Sequence, residues 1–511
     1  MNPWPIKILV ALAAFSICDA GERPHASQPP APSGAFARQA LVDSFREDAV
    51  GMVYRWAPTD ARPEPERLFA LARFIYEGYD SSAWIPQTFI AAARGSQQTA
   101  DAVDAIIRDR VGLVLWSQNK VALVFGMAPN PARDRPLSWT VNCLACHMAE
   151  IDGLAYLGAG TKTLDELVLG KAAQMVTGLA QTTVASADSS DRTTAKNAHD
   201  ILRRHQHPAF DPLTRGRSTA FPASHVEMHM RLNGGAMPTA NEVGRGDVKT
   251  PPLWHAAAKM PFQRWYCDGS FQGTFPLMAS SMELALDQSF DKLAASVVPT
   301  IQEDFKSVIQ YLRPPRYPYA VDASLAAKGK ALFESEKLGC ATCHGTYDGQ
   351  GNVRWTGLHT DVGTDPARMR LVSGGFIAAF KASPIAKEGN LSQSKGYAAT
   401  PLTGVWANFP YLHNGSVPTL YHLLGPVSER PRVFSVLAAR KLDRSKVGQA
   451  LEAELPASGA SDEAQLLRAH GEDRDWFNTQ RPGSGNQGHD FWSRIATEEN
   501  RWALIEYLKT L

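Results

Sequence analysis

Apolar positions at helical spacing mark the ends of two similar units. In Thr497–Leu508, Trp502, Ile505 and Leu508 fall on one face, with Glu498 and Glu499 at the start and Lys509 just beyond. Acids near a helix N-terminus and a base near its C-terminus suit the macrodipole, so the pattern predicts a closing helix. Glu303–Leu312 repeats that ending. Arg313-Pro314-Pro315-Arg316-Tyr317-Pro318 then stops it, because proline lacks the N–H a helix needs to continue. Ala326–Phe333 carries the same spacing and leads into Leu338-Gly339. Farther upstream, runs such as Glu66–Tyr76 and Ala102–Leu115 predict a helical extension over residues 35–135.

Each unit also holds a cysteine pair followed by histidine: Cys143-Leu144-Ala145-Cys146-His147 and Cys340-Ala341-Thr342-Cys343-His344. C-x-x-C-H is the attachment signature of covalent c-type haem. Two thiols at this spacing reach the two vinyl groups of one porphyrin, and the adjacent imidazole is placed to ligate the iron. A zinc ribbon or redox dithiol would explain one C-x-x-C, but not the following histidine in both copies. The sequence therefore predicts two covalently bound haems, held by Cys143, Cys146 and His147 and by Cys340, Cys343 and His344.

Between cysteine motif and closing helix a third feature repeats. The first copy is Thr250-Pro251-Pro252-Leu253-Trp254 followed by Trp265-Tyr266-Cys267-Asp268-Gly269-Ser270. The second is Thr400-Pro401-Leu402-Thr403-Gly404-Val405-Trp406 followed by Pro410-Tyr411-Leu412-His413-Asn414-Gly415-Ser416. The shared Asp/Asn-Gly-Ser reads as a turn, with glycine taking the positive φ. The repeated order predicts a mostly α fold of two tandem cytochrome c domains with an N-terminal helical extension.

Composition mainly excludes. The 511 residues suggest about three domains. Lys+Arg 52 against Asp+Glu 51 leave a net charge of +1, which supplies no basic field for nucleic acid. Lys7 precedes an apolar run, Ile8–Ile17, with small residues Cys18 and Ala20 after it. That run is shorter than the about 20 apolar residues of a spanning helix, so it predicts a cleaved export signal over residues 1–20. An uncleaved anchor or a lipid on Cys18 is the rival reading. Gln28–Gly34 reads as a flexible lead-in. The expected organisation is then 21–135 linker and extension, 136–313 first cytochrome c domain and 320–511 second, in a periplasmic or secreted protein.

With these motifs the chain resembles the bacterial dihaem cytochrome c peroxidase superfamily, including the dihaem methylamine-dehydrogenase maturase. Its closer resemblance is to the rubber oxygenase branch, with its dihaem fatty-acid dioxygenases. That likeness rests on Pro251-Pro252-Leu253-Trp254, Pro314-Pro315-Arg316-Tyr317-Pro318, Tyr411-Leu412-His413-Asn414-Gly415-Ser416-Val417-Pro418-Thr419-Leu420 and Gly488-His489, and covers roughly residues 135–511. The resemblance implies a reactive N-terminal haem with His147 proximal, and an electron-transfer C-terminal haem with His344 proximal. His489 would be the distal ligand of the second haem, with His413 as its competitor. The matching Trp254 would stand beside the haems and relay charge, and Phe271 would line the distal face of the first. For both aromatics, plain core packing is the alternative.

Cys267 occupies the place His413 holds in the second copy, as a thiol near the reactive haem or as a small buried hydrophobe. His255 or Met278 would close the open face of the first haem if either ligated it. His199, His205, His207, His359 and His470 read as surface or hydrogen-bonded residues, and His225 with His229 is a weak metal pair. The resemblance implies a haem-dependent oxidoreductase using O2 or peroxide, with an unsaturated lipid or isoprenoid as organic substrate. A small cytochrome or cupredoxin would be its redox partner. The alternatives are a dihaem peroxidase and a non-catalytic dihaem electron carrier.

Overall fold

A computed structural model describes residues 51–76, 107–117, 138–183, 189–204, 214–218, 226–230, 233–239, 246–279, 297–348, 352–451 and 474–511, with short pieces between. The expected export signal, the Gln28–Gly34 lead-in and His205, His207, His225 and His470 lie outside the described residues. Helices are joined by strands of two to four residues, paired in sheets of two or three. Among the described residues, no helix is long and apolar enough to cross a membrane.

The C-terminal unit is built on two crossed helices, Ala323–Glu334 and Glu498–Lys509. Each starts at a residue whose side chain accepts a hydrogen bond from a first-turn N–H. Asp322 caps through Leu325 N at 2.9 Å, and Thr497 through Asn500 N at 3.2 Å. The helices meet at Gly329, where an added Cβ would stand 1.9 Å from the Ala503 carbonyl oxygen. Phe333 then reaches Tyr507, with ring centroids 5.3 Å apart. Backbone cannot yield as a side-chain tip does. Gly329→Ala is therefore expected to lower stability by about 1–3 kcal/mol, as overpacking does. Gly170→Ala is the control, because Gly170 sits in the helix Glu166–Thr183 with open space around its Cβ position. That change should be neutral or stabilising by about 0.5–1 kcal/mol, from helix propensity alone. Thermal unfolding of both variants checks the pair.

The N-terminal unit repeats this scheme with a helix from far upstream. Glu64–Tyr76 packs on Val298–Ser307, and Arg73 pairs with Glu303 at 2.5 Å across the contact. Arg62 donates to the Ser307 carbonyl at 2.5 Å, while Arg55–Trp56 pairs antiparallel with Leu312–Arg313. Asn142 Nδ2 donates to the Ile75 carbonyl at 3.0 Å, which ties the end of the Glu64–Tyr76 helix to the first cysteine motif. The helix Glu64–Tyr76, which lies before residue 135, thus packs on elements that follow it. The region before residue 135 is not uniformly helical. Within the predicted run Ala102–Leu115 the described residues form a π turn, Ile107–Val111, and a strand begins at Leu115.

Strand pairing and a shared core join the units. Phe271–Gly273 pairs antiparallel with Gly389–Leu391, and one continuous apolar core draws on residues from both. The matched turns are clasped crosswise. Arg368 of the second unit pairs with Asp268 of the first at 3.3 Å, and Arg217 of the first donates to the Gly415 carbonyl of the second at 2.8 Å. Gly269 and Gly415 have φ of 62° and 69°, the left-handed backbone that favours glycine.

Candidate functional site

Both cysteine motifs open on one continuous, mostly apolar cavity, which Cys143, Cys146, His147, Cys340, Cys343 and His344 line together. Each motif is a short helix, Leu144–His147 after Cys143 and Cys340–His344. Gly339, at φ 72°, makes the left-handed entry to the second. None of the four thiols is in a disulfide.

The second motif fixes the tautomer of its histidine. His344 Nδ1 lies 2.9 Å from the Thr400 carbonyl oxygen. A carbonyl only accepts, so Nδ1 carries the proton and Nε2 keeps its lone pair for a metal. This gives the repeated Thr-Pro segment a function, since Thr400 begins its second copy. In the first copy the Pro251 backbone is the polar neighbour of His147, whose buried Nδ1 falls short of a hydrogen bond. Burial lowers the His147 pKa to about 4 and also lowers that of His344, so both imidazoles are neutral at pH 7, the ligating form.

His489 faces His344, with ring centroids 6.2 Å apart. Two imidazoles on opposite sides of one iron, each nitrogen about 2 Å from it, have centroids roughly 6 Å apart. The backbone that presents His489 is unusual: Gly488 and His489 both have positive φ, 76° and 47°. It is held by His489 N–H donating to the Val362 carbonyl at 2.9 Å. Arg430 donates to the carbonyls of Gly488 at 2.8 Å and His489 at 3.2 Å. His489 Nδ1 is buried without a hydrogen-bond partner outside its own backbone, and burial lowers the ring's pKa to about 3. An iron porphyrin between His344 and His489, anchored at Cys340 and Cys343, fits this donor set.

His413 lines the same cavity but lies flat on Tyr397, with centroids 3.8 Å apart and planes 13° apart. The Asn414-Gly415-Ser416 turn after it is structural. Asn414 Nδ2 donates to the carbonyls of Gly483 and Gly485, which leads the chain toward Gly488-His489.

His255, Cys267 and Met278 line the cavity, whereas Trp254 and Phe271 are absent from its wall. Trp254 is 3% exposed, and its Nε1 donates to the Thr403 carbonyl at 2.9 Å, joining the two units. Phe271 packs on Tyr266 and Phe380. Both rings are packed in the core, Trp254 at the junction of the two units next to His255 of the cavity wall. His255 Nε2 is 3.1 Å from the same Thr403 carbonyl, which occupies that nitrogen. Burial pushes the Cys267 thiol up to about 11, so it is a neutral thiol at pH 7. Among the described residues no imidazole faces His147 as His489 faces His344.

Outside the cavity wall, His199 bonds the Gln174 carbonyl at 3.0 Å and His359 the Gly357 carbonyl at 3.1 Å. Sequence reading missed Arg430, which sets the His489 loop, and the cavity lysines Lys249 and Lys259. Lys249 stands immediately before Thr250-Pro251, a position that could have flagged it.

Residues 396–435 match the family described as RoxA-like, cytochrome c-like. This stretch contains Tyr397, Thr400 and the His413 turn, and the match supports a RoxA-like cytochrome family and a c-type haem. The chain is also similar to two proteins of Sinorhizobium fredii (strain NBRC 101917 / NGR234). Uncharacterized protein y4iM is 32% identical over 239 residues, covering 39% of this chain and 51% of that protein. Uncharacterized protein y4iJ is 27% identical over 301 residues, covering 46% of this chain and 47% of that protein. The chain thus spans about half the length of the curated relatives it matches. A haem-based oxidoreductase related to rubber oxygenases is consistent with the family match.

Proposed function

We propose that this protein is an exported dihaem c-type cytochrome oxidoreductase of two cytochrome c units, which activates O2 or peroxide at the haem of the first motif. The observation that carries the reading is the difference between two matched sites. His344 has His489 across from it at 6.2 Å, and His147 has no imidazole so placed among the described residues. A haem iron with one open face binds O2 or peroxide, whereas a bis-histidine haem passes electrons without taking substrate. Trp254, joined to Thr403, and the crossed Arg368 and Arg217 contacts hold the two units together.

The residues of the chain divide the work accordingly. Thr400 orients His344, and Arg430 with Val362 keeps His489 facing it. On the first side Leu253, Phe275, Met278 and Ala279 give an apolar wall that keeps water away. Thr403 turns His255 Nε2 aside. That wall supports an unsaturated hydrophobic substrate, lipid or isoprenoid, with a small redox protein as electron partner. The Lys7–Ile17 pattern supports export to the periplasm or beyond.

Adding CO to reduced protein, and cyanide or imidazole to oxidised protein, tests the open site. One haem is expected to respond, and His147→Ala should abolish that response together with O2 or peroxide consumption. If neither haem responds, the first site is closed by a protein ligand and the protein is an electron carrier.

A further inference from the structure

Three cationic side chains line the same cavity wall as Cys267. Lys249 precedes the Thr250-Pro251 segment beside His147, Lys259 ends the helix Ala256–Lys259, and Arg368 comes from the second unit. All three influence the Cys267 thiol electrostatically. Arg368 is neutralised by Asp268, both side chains being at most 2% exposed. The lysines differ. The Lys249 ammonium donates to the Asn408 carbonyl at 2.5 Å, and the buried Lys259 donates to the Trp265 carbonyl at 3.0 Å. Among the described residues neither has a carboxylate within ion-pair distance.

Lys259 is met by a neutral carbonyl, and the half-buried Lys249 by a carbonyl and the Tyr411 ring 5.7 Å away; withdrawing an ammonium from water is costly, and an anion beside it removes most of that cost. A second observation points the same way. Thr250 is 5% exposed and lines the cavity, and its Oγ1 has no hydrogen-bond partner. A hydroxyl and two ammoniums facing one cavity are the donor set of a carboxylate site.

We propose that Lys249, Lys259 and Thr250 form a carboxylate site that takes the propionate side chains of the porphyrin bound at Cys143 and Cys146. This rests on the dihaem reading above. The segment Lys249–Pro251 reaches from the site to His147, so one strand would fix both the imidazole and the porphyrin edge. The same donors would also suit the carboxylate of a free fatty acid, and the experiment separates the two sources.

Lys249→Met, Lys259→Met and the milder Thr250→Val are made, with Lys249→Arg and Lys259→Arg as charge-keeping controls. Mass spectrometry first confirms the covalent haems, then resonance Raman reads the propionate bending modes and a redox titration reads the midpoint potential. In the methionine variants the propionate modes should shift and the potential of the first haem should fall, since losing a nearby cation favours the ferric state. Thr250→Val should shift the modes alone, and the arginine variants should restore wild-type values. Unchanged modes and potentials with both haems present would overturn the site while leaving the dihaem reading intact. A wild-type protein without haem at Cys143 and Cys146 would overturn both. If decanoate shifts the wild-type spectrum, and the methionine variants lose that shift with propionate modes unmoved, the site belongs to a free acid and the porphyrin assignment fails.

Discussion

Denatured protein should retain two haems by mass, and Cys143→Ala with Cys146→Ala should leave one. The physical basis is covalent: a thioether survives denaturation, whereas a haem held only by histidine ligation leaves when the fold is lost. Neither pair is in a disulfide, and both sit at short helices on the wall of a shared cavity, each followed by a histidine whose pKa burial lowers. The complementary change, Cys340→Ala with Cys343→Ala, should also leave one haem and should remove the low-spin signal assigned to the His344–His489 pair. The effect is all or none per site. Two haems surviving the first double change would end the assignment of Cys143 and Cys146. One haem in the unaltered protein would reduce the reading to a single-haem cytochrome.

The parts of this arrangement that are written locally were readable, and the parts that depend on distant packing were not. A porphyrin needs two thiols and an imidazole within five consecutive residues, so Cys143–His147 and Cys340–His344 are legible wherever the chain goes next. Helical spacing marked the closing helix Glu498–Lys509, and the run Glu66–Tyr76 lies inside the observed helix Glu64–Tyr76. What spacing could not say is that this helix packs against Val298–Ser307, because a long stretch of chain separates it from Cys143. The need for glycine at position 329 is likewise set by Ala503, far away in sequence. Trp254 and Phe271 are both packed in the core, an orientation that distant contacts with Thr403 and Phe380 set and spacing does not carry. Lys259 carries no local signal of its own and Lys249 only its place before Thr250-Pro251, since their meaning comes from the cavity they share. The rival histidines show the same divide. His413 lies in the more recognisable motif, yet its ring face is covered by Tyr397, while the less conspicuous Gly488-His489 faces His344.

Replacing His489 should change the second haem from low spin to high spin. His489→Ala removes the ring whose centroid lies 6.2 Å from that of His344, leaving the iron with His344 on one side and a vacant position on the other. A five-coordinate histidine haem is high spin and open to small ligands, so the variant should gain CO binding at a haem that ignores CO in the unaltered protein. Added imidazole should enter the vacated space and restore the low-spin spectrum, which a general unfolding of the loop would not permit. His413→Ala is the comparison. Its ring stacks on Tyr397, so its loss should disturb packing near the cavity and leave the second haem low spin. Arg430→Gln should fall between the two, since Arg430 holds the carbonyls of Gly488 and His489 without entering the ligand position. None of these changes should move the spectrum of the first haem far, because its proximal ligand, His147, belongs to the other unit. Electron paramagnetic resonance of the oxidised proteins decides the ranking. If His413→Ala gives the high-spin haem and His489→Ala does not, the turn histidine is the ligand, and the geometry around Gly488-His489 serves only to close the loop.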